Sequence, residues 1–88
     1  MEVYRYRIHK MSFKFGGPTW YISRVEIHGT VEWYATLNHE VIWVESHVDA
    51  DTFANFELAD STLQLYFNDI DGQTILNDEI VKEIAREE

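Results

Sequence analysis

Tyr4, Tyr6 and Ile8 alternate with Arg5, Arg7 and His9, the two-residue period of a half-buried strand that starts near Val3. Past Ile8 the apolar positions change parity to Met11, Phe13 and Phe15, with Lys10, Ser12 and Lys14 between them. Either a bulge shifts the register near His9 or the chain bends there, and we favour the bulge. Gly16, Gly17 and Pro18 supply a turn, and the β-rich pattern resumes at Thr19, which predicts a hairpin. From Tyr21 to Ala35 the odd positions are mostly apolar and the even ones mostly polar. Gly29 is then a bend in one long strand or, with His28, the turn between two short ones; the unchanged parity favours one continuous coiled strand.

Leu37, Asn38 and His39 form a connection, and Val41-Ile42-Trp43-Val44 is apolar at both parities, the pattern of a strand buried on both faces and central in its sheet. Ser46 to Asp60 is read as an irregular loop with a helical turn. There Phe53, Phe56 and Ala59 have helical spacing after a capping Asp51 or Thr52, while Ala54, Phe56 and Leu58 alternate as a strand would. Leu63, Leu65 and Phe67 alternate with Gln64, Tyr66 and Asn68 as another strand, followed by an Asp71-Gly72 turn and a short extended piece at Thr74 to Leu76. Asn77 is a good N-cap, Asp78 and Glu79 suit a first helical turn, and Leu76, Ile80, Val81 and Ile84 form an apolar stripe. The spacing therefore predicts a C-terminal helix. The expected fold class is α+β: one domain over residues 1–88, with an antiparallel β-sheet of four to five strands and one C-terminal α-helix packed on or beside it.

Composition agrees with a folded chain. With 45% hydrophobic and 15% aromatic residues among 88, the sequence is too apolar for a disordered acidic tail. The absence of Cys excludes a disulfide scaffold, a thiolate zinc site and a cysteine nucleophile. No apolar run approaches the roughly 18 residues of a spanning helix, and the first ten residues lack a signal-peptide core, so a soluble cytoplasmic protein is expected.

Charge changes the picture more. Sixteen acidic and seven basic residues leave a net charge of −9, and the two signs are segregated. Up to Arg24 there are five cations (Arg5, Arg7, Lys10, Lys14, Arg24) and one acid, Glu2; from Val25 to Val81 there are twelve carboxylates and no Lys or Arg. Those carboxylates face water, pair with the N-terminal strand, or meet a basic partner.

Motifs for catalysis are missing. His39-Glu40 begins an HExxH pattern, but Trp43 stands where the second His is needed, and the run reads as β. Asp69, Asp71 and Gly72 match three places of a calcium loop whose first place is Phe67, so a capped turn is the better reading. His9, His28, His39 and His47 are scattered, no GxSxG or phosphate-cradling glycines occur, and neither an enzyme nor a cofactor is expected. Arg5 and Arg7 interleaved with Tyr4 and Tyr6 resemble a nucleic-acid platform, yet the acidic segment repels a polyanion, so direct nucleic-acid binding is not expected.

The acidic middle fits a basic protein surface instead. Carboxylates repeated along strands imitate phosphates, and the natural target of such a surface is a nucleic-acid-binding protein or nuclease. By size and charge the chain looks like the small acidic inhibitors that phages and mobile elements direct against host defence nucleases, or like nuclease-immunity proteins. Glu40, Glu45, Asp49, Asp51, Asp69 and Asp71, in connections and at strand ends, are the expected partner-binding residues. The alternative is a self-associating assembly subunit or homodimer that uses exposed aromatics (Trp20, Tyr21, Tyr34, Tyr66) and sheet edges.

Overall fold

The computed structural model describes residues 3–12, 17–26, 29–67 and 80–87. Strands β1 (Val3–Met11), β2 (Thr19–Glu26), β3 (Val31–Leu37), β4 (Glu40–Val44) and β5 (Ile80–Glu87) form one antiparallel sheet in the order β4-β3-β2-β1-β5. One α-helix, α1 (Phe56–Phe67), packs on it, so the fold is α+β.

β1 and β2 pair without interruption from Tyr4 opposite Glu26 to Met11 opposite Thr19, the expected hairpin. The irregularity near His9 lies on the other side of β1: its pairing with β5 jumps between Ile8 and His9, which leaves Val81 of β5 as the extra residue. Tyr21 to Ala35 is two strands. Val25 faces Val31 across a hairpin, and the Gly29 N–H donates to the Glu26 carbonyl (2.9 Å). A Cβ on Gly29 would lie 3.2 Å from that of Glu26. Parity could not separate the alternatives, because opposite residues share a face and the pairs Ser23–Trp33 and Val25–Val31 join positions of the same parity. At the next turn Leu37 faces Glu40, and the two residues between them, Asn38 and His39, have φ of 52° and 68°, the backbone of a tight primed hairpin.

Val41 to Val44 is an edge strand, half-buried at most, rather than the expected central one. Two further assignments exchange places. Leu63 to Phe67 is helical, not extended, because the helix starts upstream: the Asn55 carboxamide oxygen accepts from the Leu58 N–H (2.9 Å), and Phe56, Ala59 and Leu63 form a stripe whose last two members are fully buried. Ile80 to Glu87 is a strand, not a helix. A helix of that length is marginal in water, whereas as a strand the segment pairs with β1 and sets Glu83 against Arg7 (2.7 Å) and Arg5 (3.3 Å). The Asp71-Gly72 turn, the extended piece at 74–76 and the Asn77 cap lie outside the described residues.

The core is on the helix side, where Tyr6, Ile8, Ile22, Tyr34 and Ile84 of the sheet meet Ala59 and Leu63 of α1. On the opposite face His9, Tyr21, Ser23 and Ala35 are buried, and the Trp33 ring contacts those of His9 (4.8 Å), Tyr21 (6.0 Å) and His47 (5.7 Å). His47 opens a 3-10 turn, His47–Asp49, capped by Ser46, so the chain leaving β4 first lies against this second face. It then crosses to the helix side through a split in the sheet. β2 and β3 pair only at Ser23–Val25 with Val31–Trp33; beyond that they diverge, and Phe53 exchanges two backbone hydrogen bonds with Trp20 (2.9 and 3.0 Å) while the Asp51 N–H donates to the Tyr34 carbonyl (3.0 Å). That split carries the chain between the 3-10 turn and α1.

Candidate partner-binding surface

The cations whose side chains are described have partners within the fold. Arg5 and Arg7 share Glu83; Lys82 pairs with Asp60 of α1; and Lys10 lies over the Trp20 ring (5.9 Å). Arg24 bonds Glu32 (3.0 Å) and is layered between the rings of Tyr4 (4.9 Å) and Trp43 (4.4 Å). Burial works against the Arg24 charge, but the hydrogen bond and charge of Glu32, helped by Tyr6, hold its pKa above the ordinary value. Arg5 and Arg7 of the basic N-terminal strand thus face an acid of their own chain.

The sequence-derived acidic residues divide. Glu40 opens β4 and Glu45 follows its last residue, both exposed, and Asp49 is exposed in the 3-10 turn; no described cation pairs with any of the three. Asp51 belongs to the scaffold: half-buried, it accepts from the Thr36 hydroxyl (2.8 Å) while its own N–H holds Tyr34. Asp69 and Asp71 lie outside the described residues. Glu40 and Glu45 are separated by the length of the strand, about 17 Å at roughly 3.4 Å per residue, so they frame β4 rather than cluster.

What the charge pattern did not reveal is the apolar surface between them. Val41 and Leu65 (79% exposed) flank a groove of about 380 Å³, lined also by Tyr34 and Thr62, between β4 and α1, while Leu37 (60% exposed) ends β3 on the other face of the sheet. The signal was present in Leu65, which belongs to no core stripe once the helix is recognised. The aromatics proposed for self-association fare differently: Tyr21 and Tyr34 are buried, Trp20 is half-buried, and the Tyr66 side chain lies outside the described residues. Two of the four are therefore unavailable as an exposed interface.

His9 Nε2 and Ser23 Oγ, 2.6 Å apart, have the donor–acceptor geometry of a nucleophile and its base. Both residues are buried, Ser23 to 1% exposure, so no substrate reaches the hydroxyl; the pair is a hydrogen bond that ties β1 to β2. His39-Glu40 falls in the β3–β4 turn and not on a helix, so it does not present the zinc-protease geometry. Among the described residues no three His, Asp or Glu side chains converge as metal ligands, and no helix is long and apolar enough to cross a membrane.

No protein-family model matches the chain, and neither a curated protein nor a solved structure is significantly similar to it.

Proposed function

We propose that this protein is a non-catalytic binding module whose acidic side occupies the basic, nucleic-acid-binding surface of a partner protein, as a small inhibitor or adaptor does. One observation carries the reading: Arg5, Arg7, Lys10, Arg24 and Lys82 have partners inside the fold, while Glu40 and Glu45 at the two ends of β4 and Asp49 in the 3-10 turn stand exposed with no described counter-charge. Carboxylates held on a sheet edge and a capped turn are ordered before binding, which reduces the entropy lost on association. A field of one sign steers a basic partner and repels nucleic acid itself. A nuclease or other nucleic-acid-binding protein offers the matching surface, and inhibitors of defence nucleases, from phages or mobile elements, would work in this way.

The test is capture of proteins on the immobilised chain from a lysate, followed by elution with either salt or a DNA duplex. The expected result is a basic, nucleic-acid-binding protein released by both and not retained by the triple variant Glu40→Lys, Glu45→Lys, Asp49→Lys. Capture that is insensitive to salt, or equal for the variant, refutes the reading.

A further inference from the structure

The sheet face turned away from α1 is unevenly covered. Around Trp33 it is closed by the rings of His9, Tyr21 and His47. Its β3–β4 end is more open. Leu37 stands opposite Glu40, Ala35 opposite Ile42 and Trp33 opposite Val44, so Leu37, Ile42 and Val44 share this face with Trp33. Ile42 and Val44 are half-buried and Leu37 is mostly exposed. At roughly 3.4 Å per residue, Glu40, Ile42 and Val44 form a row about 14 Å long on this side of β4.

The 3-10 turn adds Val48, whose side chain is 79% exposed. Hydrogen bonds fix the turn locally: the N–H groups of Val48, Asp49 and Ala50 donate to Ser46 Oγ (3.3 Å), the Ser46 carbonyl (3.1 Å) and the His47 carbonyl (3.2 Å). At its start the His47 ring lies against Trp33 and Tyr21, and just past its end the Asp51 N–H is held by the Tyr34 carbonyl. Val48 belongs to neither the core nor the cap, and a β-branched side chain is poorly suited to a helical turn. Local structure therefore does not call for an apolar side chain there.

Carboxylates frame this apolar surface. Glu40 begins the β4 row, Glu45 follows Val44, and Asp49 adjoins Val48, all exposed and with no described counter-charge. An apolar centre inside a charged rim is the layout of a protein interface, and the sign of the rim selects the occupant. A second copy would bring carboxylates against carboxylates between chains of net charge −9. We propose that a basic partner docks on this face of the β3–β4 hairpin, with Leu37, Ile42, Val44 and Val48 on an apolar patch of the partner and Glu40, Glu45 and Asp49 meeting Lys or Arg around it. This rests on the basic partner of the proposed function and adds the face used and the apolar half of the recognition.

The probe is a capped amphipathic Leu/Lys peptide with its leucines on one side, titrated into the intact isotope-labelled protein. Backbone amide shifts should move at Leu37, Ile42, Val44 and Val48 and stay in place along α1. A Ser/Lys peptide of equal charge is expected to bind at least ~10-fold more weakly, as is the Leu/Lys peptide to the Leu37→Ser/Val48→Ser protein, whose two changed positions are exposed. Leu58→Ser/Leu65→Ser, which removes exposed apolar surface from α1 instead, should bind as wild type. The inference is overturned if the shifts fall on α1, if the two peptides bind alike, or if Leu37→Ser/Val48→Ser binds as wild type. It is equally overturned if the protein alone dimerises in sedimentation and that variant does not. Should one of these results come with binding that salt and Glu40→Lys/Glu45→Lys/Asp49→Lys still weaken, the docking face is lost and the acidic reading stands. A Leu/Glu peptide that binds as tightly as Leu/Lys would refute the basic partner itself.

Discussion

Lys82 of β5 extends along the helix side of the sheet to the Asp60 carboxylate of α1, with only 6% of the Lys side chain exposed against 20% for Asp60. The strand and the helix are therefore joined by a charge that has little access to water. The two halves of the pair should respond unequally to mutation. Asp60→Ala strands a buried ammonium and is expected to destabilise by about 3 kcal/mol or more, whereas Lys82→Met keeps the volume, leaves Asp60 to solvent and Gln64, and should fall within about 1 kcal/mol of wild type. Urea denaturation of both variants measures the asymmetry; equal losses would show that the ammonium is hydrated in solution.

Glu83 lies between Arg5 and Arg7 across the β1–β5 pair, so its reversal places three cations together. Glu83→Arg is expected to lower stability by about 1–2 kcal/mol at low ionic strength and by less at high salt, because the Arg5 side is well exposed. Comparing urea midpoints at two salt concentrations checks both the sign and the screening.

Ile84, on β5, is 8% exposed within the main core. Ile84→Ala is expected to destabilise by about 2–4 kcal/mol, and amide exchange in β5 should quicken first. A change below about 0.5 kcal/mol would mean that β5 contributes little to the core.

His39 holds a φ of 68° without being glycine. His39→Gly relieves that strain and creates the Asn-Gly pair preferred in this turn, so it should stabilise by several tenths to about 1 kcal/mol in thermal or urea unfolding. Because the change sharpens the β3–β4 hairpin without touching Glu40 or Glu45, capture of a basic partner should be retained.

These residues also mark where sequence reasoning reached the fold and where it stopped. β1, β2 and the β3–β4 connection were legible because each is a local pattern of alternation or turn chemistry, whereas the parity change after Ile8 pointed to a bulge in β1 and the extra residue is Val81 of β5. β5 was hidden by its own bulge. Val81 and Ile84 are three residues apart and would point to opposite faces of a regular strand, but the extra residue lets both pack on one core, which imitates a helical stripe. α1 was hidden by Leu65, whose exposure shows that its alternation with Leu63 and Phe67 had no structural meaning. Glu40, Glu45 and Asp49, named from charge alone, are exposed, while the scaffold role of Asp51 depends on Thr36 and Tyr34, contacts that no local pattern encodes. A charge reversal at Asp51 would consequently disturb the fold as well as binding.

β1 receives its outer neighbour from the far end of the sequence, with Val3 opposite Glu87. During synthesis the β1–β2 hairpin, α1 and the β3–β4 pair all precede β5, so they can assemble while β1 still shows a bare edge. Closing a contact over so much chain is slow relative to local hairpins. A stalled or clipped chain lacking β5 would therefore retain most of its pairing yet expose Arg5 and Arg7 of β1 without Glu83. Such a fragment would carry an unpaired sheet edge, a template for aggregation, so protection of β1 rests on the eight residues of β5.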